Sequence, residues 1–529
     1  MKNTSAAVPF FSLLWHENDP RAPLADYRFV KELQIGRYLF LPGPVSDISS
    51  YFTNNRESIK KRNDLFFELL TNKALAQGFL SACEALEQIV LLQQTPPAPK
   101  SPEEAVFSIR EFALYTDVID AFAALFSEHP PKSAPLCALE ERIMQIFASP
   151  EHRQLKKNLS RETEKIRSLK SVTLGVNLDA QFGATEIGLV SINETAFSSA
   201  SIVDRFLRLD FSPEKATECT PLIPAAKGLS KEESAVLRGT LLRAITKQFS
   251  LGVSPWGKQI RQYITENLAW LWKSFDEFLM IRTSLAFLQK LKAANSPLCR
   301  ADIRSDTNGK ARSVYHPALL LENPEARPVP NDFLFDETCG ILLLSGPNQG
   351  GKSVYAESIG WMFSMFLLGL PVCAEEAALP LCDALFLIAK QKPEHSFGES
   401  NFSAQCKQLA DISAALTQRS VFLYDEPLTG TNSEEAVCIL KEVLKAYCIL
   451  GVHGILITHM HSLCSAAEEI TARAHGKIGV MNYSAILAPD SHTRSFRIER
   501  GYAAPLSYAH DIAEKYGLSA ESILKNAKQ

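Results

Sequence analysis

Gly346-Pro347-Asn348-Gln349-Gly350-Gly351-Lys352-Ser353, entered from the apolar run Ile341-Leu342-Leu343-Leu344, decides how the second half of this chain is read. The octet fits the phosphate-binding pattern G-x-x-x-x-G-K-[ST] in the context that pattern requires, a buried strand, a glycine-rich turn and then a helix. Glycines there let backbone N–H groups converge on a triphosphate without side-chain obstruction, and the following helix turns its positive end toward it. Lys352 is expected to reach the β- and γ-phosphates, and the Ser353 hydroxyl to complete a Mg²⁺ shell. The bland alternative is a glycine-rich surface turn.

Two further strand ends carry chemistry. Val421-Phe422-Leu423-Tyr424-Asp425-Glu426 is an apolar strand closing on two acids. Downstream of a phosphate loop, the first acid anchors Mg²⁺ and the second orients and polarises an attacking water; taken alone, the pair also describes a solvated strand end. Thr458-His459 closes the next apolar strand, where a histidine can bond a γ-phosphate or that water. A histidine at a strand end is often structural, but ligands of open α/β sheets bind at the carboxyl edge. The runs 341–345, 421–424 and 454–458 alternate with helical stretches, the pattern of a parallel sheet.

Together these residues resemble the MutS family of DNA mismatch-repair ATPases. The family's T-G-P-N-M-G-G-K-S-T is matched by Ser345 through Val354, with Gln349 for Met and Val354 for Thr. Its D-E-I/P-G-R-G-T-S is matched by Asp425 through Asn432, and its A-T-H-Y-H-E-L by Ile457 through Leu463. Its S-T-F-x-x-E-M falls on Ser400-Asn401-Phe402-Ser403-Ala404-Gln405-Cys406, and its R-H-P and F-x-x-N-D flanks on His316-Pro317 and Val329-Pro330-Asn331-Asp332. The likeness is dense over 301–529 and looser before it. It implies ATP held with Mg²⁺ at a dimer interface, with Ser400 meeting the other subunit's γ-phosphate. It also implies that the tail, Leu506–Tyr516, Gly517 and Ser519–Asn526, is a helix-turn-helix supporting dimerisation; a plain closing helix pair fits the tail's pattern equally. Departures are Gln405 in place of the family's glutamate and no evident adenine-facing aromatic beside Pro328-Val329. The family's mismatch-reading and connector domains are expected to be missing, because the helical pattern begins almost at once. Phe-x-Glu, its mismatch-probing motif, occurs too often in this chain to assign a wedge.

Before residue 300 the pattern is mainly helical. Leu75, Phe79, Cys83, Leu86 and Val90 recur at i+3/i+4 steps, and the proline clusters at 96–102 and 130–135 read as inter-helix loops. From Gly257 to Pro297 no glycine or proline intervenes, so one rod on the order of 50 Å is expected. Residues 171–178 and 186–192 read as a hairpin. Arg153, Lys157, Arg161 and Lys165 fall at i+4 spacing and form a stripe that could meet DNA phosphates, or simply a solvated helix face.

Composition excludes some classes. With 529 residues, 46% hydrophobic and 22% charged, the chain has room for two to four globular domains. A formal charge of −4 argues against a uniformly basic binder. The 11 cysteines show no C-x-x-C and suit reduced thiols in a cytoplasmic protein. The apolar stretch 6–15 is interrupted by Pro9 and does not read as a secretory signal. The apolar run 359–372 is too short to span a bilayer, so no membrane segment is expected. The expected fold class is an α/β P-loop ATPase domain on a mainly parallel sheet (301–529, with the C-terminal helix-turn-helix). It is preceded by a mostly α-helical lever and clamp with a small β hairpin (26–300) and a tail (1–25). The expected function is ATP-dependent DNA binding by a homodimeric clamp, in mismatch repair or related DNA-structure recognition. The alternatives are the nucleotide-binding subunit of a membrane transporter, whose L-S-G-G-Q helix start is not found here, and a scaffold with a vestigial nucleotide site.

Overall fold

The computed structural model describes residues 11–21, 24, 28–39, 48–94, 96, 102–160, 164, 170–178, 180, 184–195, 257–323, 325, 328–347, 349–389, 401–428, 433–487, 494–501 and 523–524. They form two compact units that cut across the division at residue 300. Unit 1 is Met1–Asn72, Ser133–Pro135 and Asp276–Gln529; unit 2 is Lys73–Lys132 and Leu136–Phe275.

Unit 2 is helical. The helices Lys73–Gln93 and Pro102–Glu128 pack through Phe79 against Phe122, ring centroids 5.9 Å apart, and Phe126 stacks on Phe122 within its own helix at 5.6 Å. Among the described residues, Lys73–Gln93 is the one helix long and apolar enough by length and composition to cross a membrane. Its apolar stripe, Leu75, Phe79, Cys83, Leu86 and Ile89, is nonetheless buried at helical spacing, as a core-facing helix requires. The hairpin is present, β1 (Ser171–Leu178) antiparallel to β2 (Ala184–Asn193). The single rod expected over 257–297 is not. The helix Gly257–Tyr263 gives way to a π turn at Ile264–Leu268, the helix resumes at Ala269–Lys273, and it stops at Ser274. A new helix then runs Phe275–Ala293. Apolar periodicity survived the break, because the π turn adds a residue to the ladder without removing the buried face.

Unit 1 is α/β, with two sheets. The short strands β3 (Asp302–Arg304), β4 (Gly309–Val314), β5 (Asn331–Phe335) and β7 (Glu376–Pro380) form a sheet in the order β3-β7-β4-β5. The larger sheet holds β6 (Ile341–Ser345), β8 (Ala384–Ile388), β9 (Ser420–Asp425), β10 (His453–Ile457), β11 (Val480–Leu487) and β12 (Arg494–Arg500). Its order is β12-β11-β6-β10-β9-β8, parallel except for β12 against β11. β6, β8 and β10 are buried at every residue, which demands helices on both faces. On one face Ile341, Leu343, Phe422 and Tyr424 join a core with Leu440 and Leu444 of the helix Ser433–Leu450. The helix Lys352–Leu367, buried over almost its whole length, packs on β9 and β10.

Part of the stretch read as a tail is packed into unit 1. Leu13, Leu14 and Trp15 are buried. The Glu277 carboxylate accepts from the Ser12 hydroxyl and from the Leu13 and Leu14 amides.

Candidate functional site

The three chemistry-bearing segments meet because β6, β10 and β9 lie side by side and parallel. Adjacent strands are roughly 4.8 Å apart, so their carboxyl ends share one edge. Two backbone bonds lace the segments beyond the strands: Thr458 N–H donates to Leu344 O and Glu426 N–H to Ile457 O, each at 3.1 Å.

From Ser345 the chain enters the turn at Gly346 with φ +122°. Gly350 N–H closes on Pro347 O at 3.1 Å, and Gly351, at φ +91°, is the N-cap of the helix, with no side chain capping its first turn. A Cβ on Gly350 would stand 2.9 Å from Pro347 O and 3.1 Å from Ala485 Cβ, so only backbone fits that wall. Lys352 is buried, and its ammonium donates to Gly346 O and Pro347 O, both at 2.9 Å. Asp425 ends β9. Glu426 follows it in the left-handed region at φ 52°, a conformation costly for a non-glycine residue. That bend brings its carboxylate into contact with His459 Nε2, the glutamate largely buried and the histidine half-exposed. Thr458 Oγ1 accepts from Met460 N–H at 3.0 Å and fixes the bend that presents His459.

A cleft of about 450 Å³ opens beside the turn. Lys352, Ser353 and Glu426 supply its polar end, and Val314, Leu319, Pro328 and Val329 its apolar wall. Three lining residues carry no sequence motif recognised above as chemical. Phe496 borders the cleft and packs against Gly351, with its own φ at 55°. Tyr355 OH donates to Asp332 O at 3.0 Å. Asn331 joins the two sheets: its Nδ2 donates to Phe496 O at 3.0 Å, and its Oδ1 accepts from Ile498 N–H at 2.8 Å. Arg494 donates to Gln349 Oε1 at 2.6 Å and ties the turn to β12. A family-flank reading named Asn331 without its purpose. Phe496 and Arg494 sit on β12, whose mixed charge gave no strand signal.

Of the remaining expected site residues, Asn348, Ser400, Arg161 and Lys165 lie outside the described residues, as does the tail apart from Ile523 and Leu524. Ser400 directly precedes the helix Asn401–Ala415, in which Gln405 is buried. Arg153 and Lys157 are exposed on the helix Pro150–Asn158 of unit 2, and the neighbouring Lys156 pairs with Asp120 at 2.6 Å. Among the described residues no group of His, Cys, Asp and Glu is gathered to hold a metal by itself.

Residues 342–529 match the family model described as MutS domain V. The DNA mismatch repair protein MutS of Fervidobacterium nodosum is 24% identical over 506 residues, 90% of this chain and 58% of that protein. Endonuclease MutS2 of Thermus thermophilus is 31% identical over 215 residues, 41% of this chain and 27% of that protein. The likeness to the MutS family is thus carried by residues 342–529, with a more distant similarity over most of the chain. It spans 58% or less of the length of these two relatives. The stretch matched to MutS domain V begins within β6 and takes in the glycine turn, Asp425-Glu426 and His459. Asn331 and the apolar wall at 314–329 precede it.

Proposed function

We propose that the protein binds ATP with Mg²⁺ at the turn 346–353, hydrolyses it, and uses hydrolysis to switch a pair of copies between DNA-gripping and releasing states. The observation that carries this reading is the shared carboxyl edge of β6, β9 and β10, where the glycine turn, Asp425-Glu426 and His459 converge and Glu426 touches His459. The backbone-walled turn, the helix start without a side-chain cap and the buried Lys352 ammonium fit a phosphate chain. The relatives' names, DNA mismatch repair protein MutS and Endonuclease MutS2, support DNA as the partner.

In this reading Lys352 exchanges its two carbonyl acceptors for phosphate oxygens of the substrate. Ser353 and Asp425 would hold the magnesium ion, which when bound neutralises charge developing on the transferred phosphoryl group. Glu426 accepts the proton of the attacking water. His459 keeps that carboxylate oriented and senses the γ-phosphate, and Ser400 acts across the pair on the other copy's nucleotide. Unit 2 serves as lever and clamp, its Arg153, Lys157, Arg161 and Lys165 meeting DNA phosphates. The site of action is the cytoplasm.

ATP turnover and nucleotide binding, with and without DNA, test this for the wild type and Glu426→Gln. The variant should bind ATP within a few-fold of the wild type while turnover falls by about a hundredfold or more. DNA should change the wild-type rate. Normal turnover in the variant overturns the role of Glu426, and a wild type that binds no nucleotide overturns the whole reading.

A further inference from the structure

The helix Lys352–Leu367 begins at the glycine turn and ends about 24 Å away, at a place the site chemistry leaves unexplained. There Leu370 N–H bonds Met365 O and Gly369 N–H bonds Phe366 O, a Schellman ending with Gly369 at φ +72°. The next three carbonyls are all taken by one segment from the start of the chain. Thr53 N–H donates to Leu367 O at 3.0 Å, Arg62 Nη1 to Leu368 O at 3.2 Å, and Asn63 Nδ2 to Gly369 O at 3.0 Å.

Arg62 is fully buried in the helix Arg56–Thr71, with no carboxylate among its hydrogen-bond acceptors. Its Nε donates to Leu14 O at 2.9 Å and its Nη1 also to Tyr51 O at 2.5 Å, while its guanidinium carbon lies 4.3 Å from the Trp15 ring centroid. Burial pushes its pKa down to about 10. A Cβ on Gly369 would stand 2.6 Å from Arg62 Cβ, so helix end and arginine are in direct contact. A cation at a helix C-terminus is favourable, yet Arg62 Nη2 and Asn63 Oδ1 are buried without hydrogen-bond partners. Unsatisfied buried groups are costly and call for an explanation. A plug that served stability alone would be better made of apolar side chains.

We propose that Arg62 and Asn63 are positioning residues for the phosphate turn: by gripping the far end of the helix Lys352–Leu367 they set where Lys352 and Ser353 stand. The inference rests on the ATP reading for its consequence, not for its geometry. The helix is buried over almost its whole length, so close packing resists the bending that would absorb a displacement. Movement at either end is therefore carried to the other, and residues 48–72 follow the state of the turn.

Two measurements on Arg62→Met, which keeps length and loses the donors, and on Arg62→Lys test this well below the melting temperature. Hydrogen exchange without nucleotide should rise about tenfold at Val354–Glu357 in Arg62→Met, as local opening reaches the far turn. KM for ATP should rise about tenfold with a smaller change in kcat, because a misplaced binding group weakens the complex. Arg62→Lys should restore most of both. Faster exchange confined to residues 362–370, with KM unchanged, overturns the proposal. Should Arg62→Met not fold, Asn63→Ala is read by the same pair of measurements against the same outcomes. A wild type that binds no nucleotide refutes the ATP reading, and the exchange pattern then decides this proposal by itself.

Discussion

At the scale of single residues, the site is built from backbone conformations that most side chains refuse. Gly351 at φ +91° and Glu426 at φ 52° both line the cleft. Gly350 is held by space rather than by angle, since a methyl there meets Pro347 O at 2.9 Å. Gly350→Ala should therefore leave the melting temperature within a few degrees and weaken nucleotide binding by about tenfold or more, as the wall shifts by a few tenths of an ångström. Titration calorimetry with ATP checks it, and unchanged affinity would contradict the backbone-walled reading. These residues were legible because glycine, lysine and paired acids carry their chemistry in their type. The role of Asn331 was not, since beyond its local bond to Val329 its bonds to Phe496 and Ile498 depend on a strand far away in sequence.

At the scale of elements, the sequence exposed the strands that are apolar throughout and hid the others. β6, β9 and β10 are buried on both faces and read as short hydrophobic runs. β12, R-S-F-R-I-E-R, is an edge strand carrying four charges, and nothing in its pattern marks it. Besides its ladder to β11, it is held from outside by Asn331. Asn331→Ala removes a donor from Phe496 O and an acceptor from Ile498 N–H, which costs about 1–3 kcal/mol. The expected result is a lower urea midpoint with an unchanged slope, together with weaker ATP binding as Phe496 and Arg494 lose their register on the turn. The broken rod teaches the complementary lesson. Ile264, Leu268 and Leu271 keep an apolar face through a π turn, so periodicity reported burial correctly and continuity wrongly.

For the whole molecule, the two units carry buried titratable groups of opposite sign. In unit 1, His453 is buried against the Phe335 ring, its Nε2 has no partner, and burial pushes its pKa down to about 4. Its contribution is present above the unfolded value near 6.5 and is lost as pH falls toward 4, by up to about 3 kcal/mol. In unit 2, Glu111 is buried, accepts from Gln93, and burial pushes its pKa up to about 7. Its contribution is present below about 4.5 and is lost as pH rises toward 7, by a similar amount, about 3 kcal/mol at most. Thermal unfolding between pH 4.5 and 7 should show one unit gaining stability as the other loses it. His453→Phe should flatten the first trend and Glu111→Gln the second; parallel trends in both units would contradict the assignment.

The knot at Glu277 has a consequence for how the chain is made. Ser12 finds its acceptor 265 residues downstream. At synthesis rates of roughly 5–20 residues per second, the segment around Ser12 waits on the order of tens of seconds for Glu277. In that interval the ribosome delivers all of 73–275, so the inserted unit has the chance to fold while the body that surrounds it in sequence still lacks its closing half.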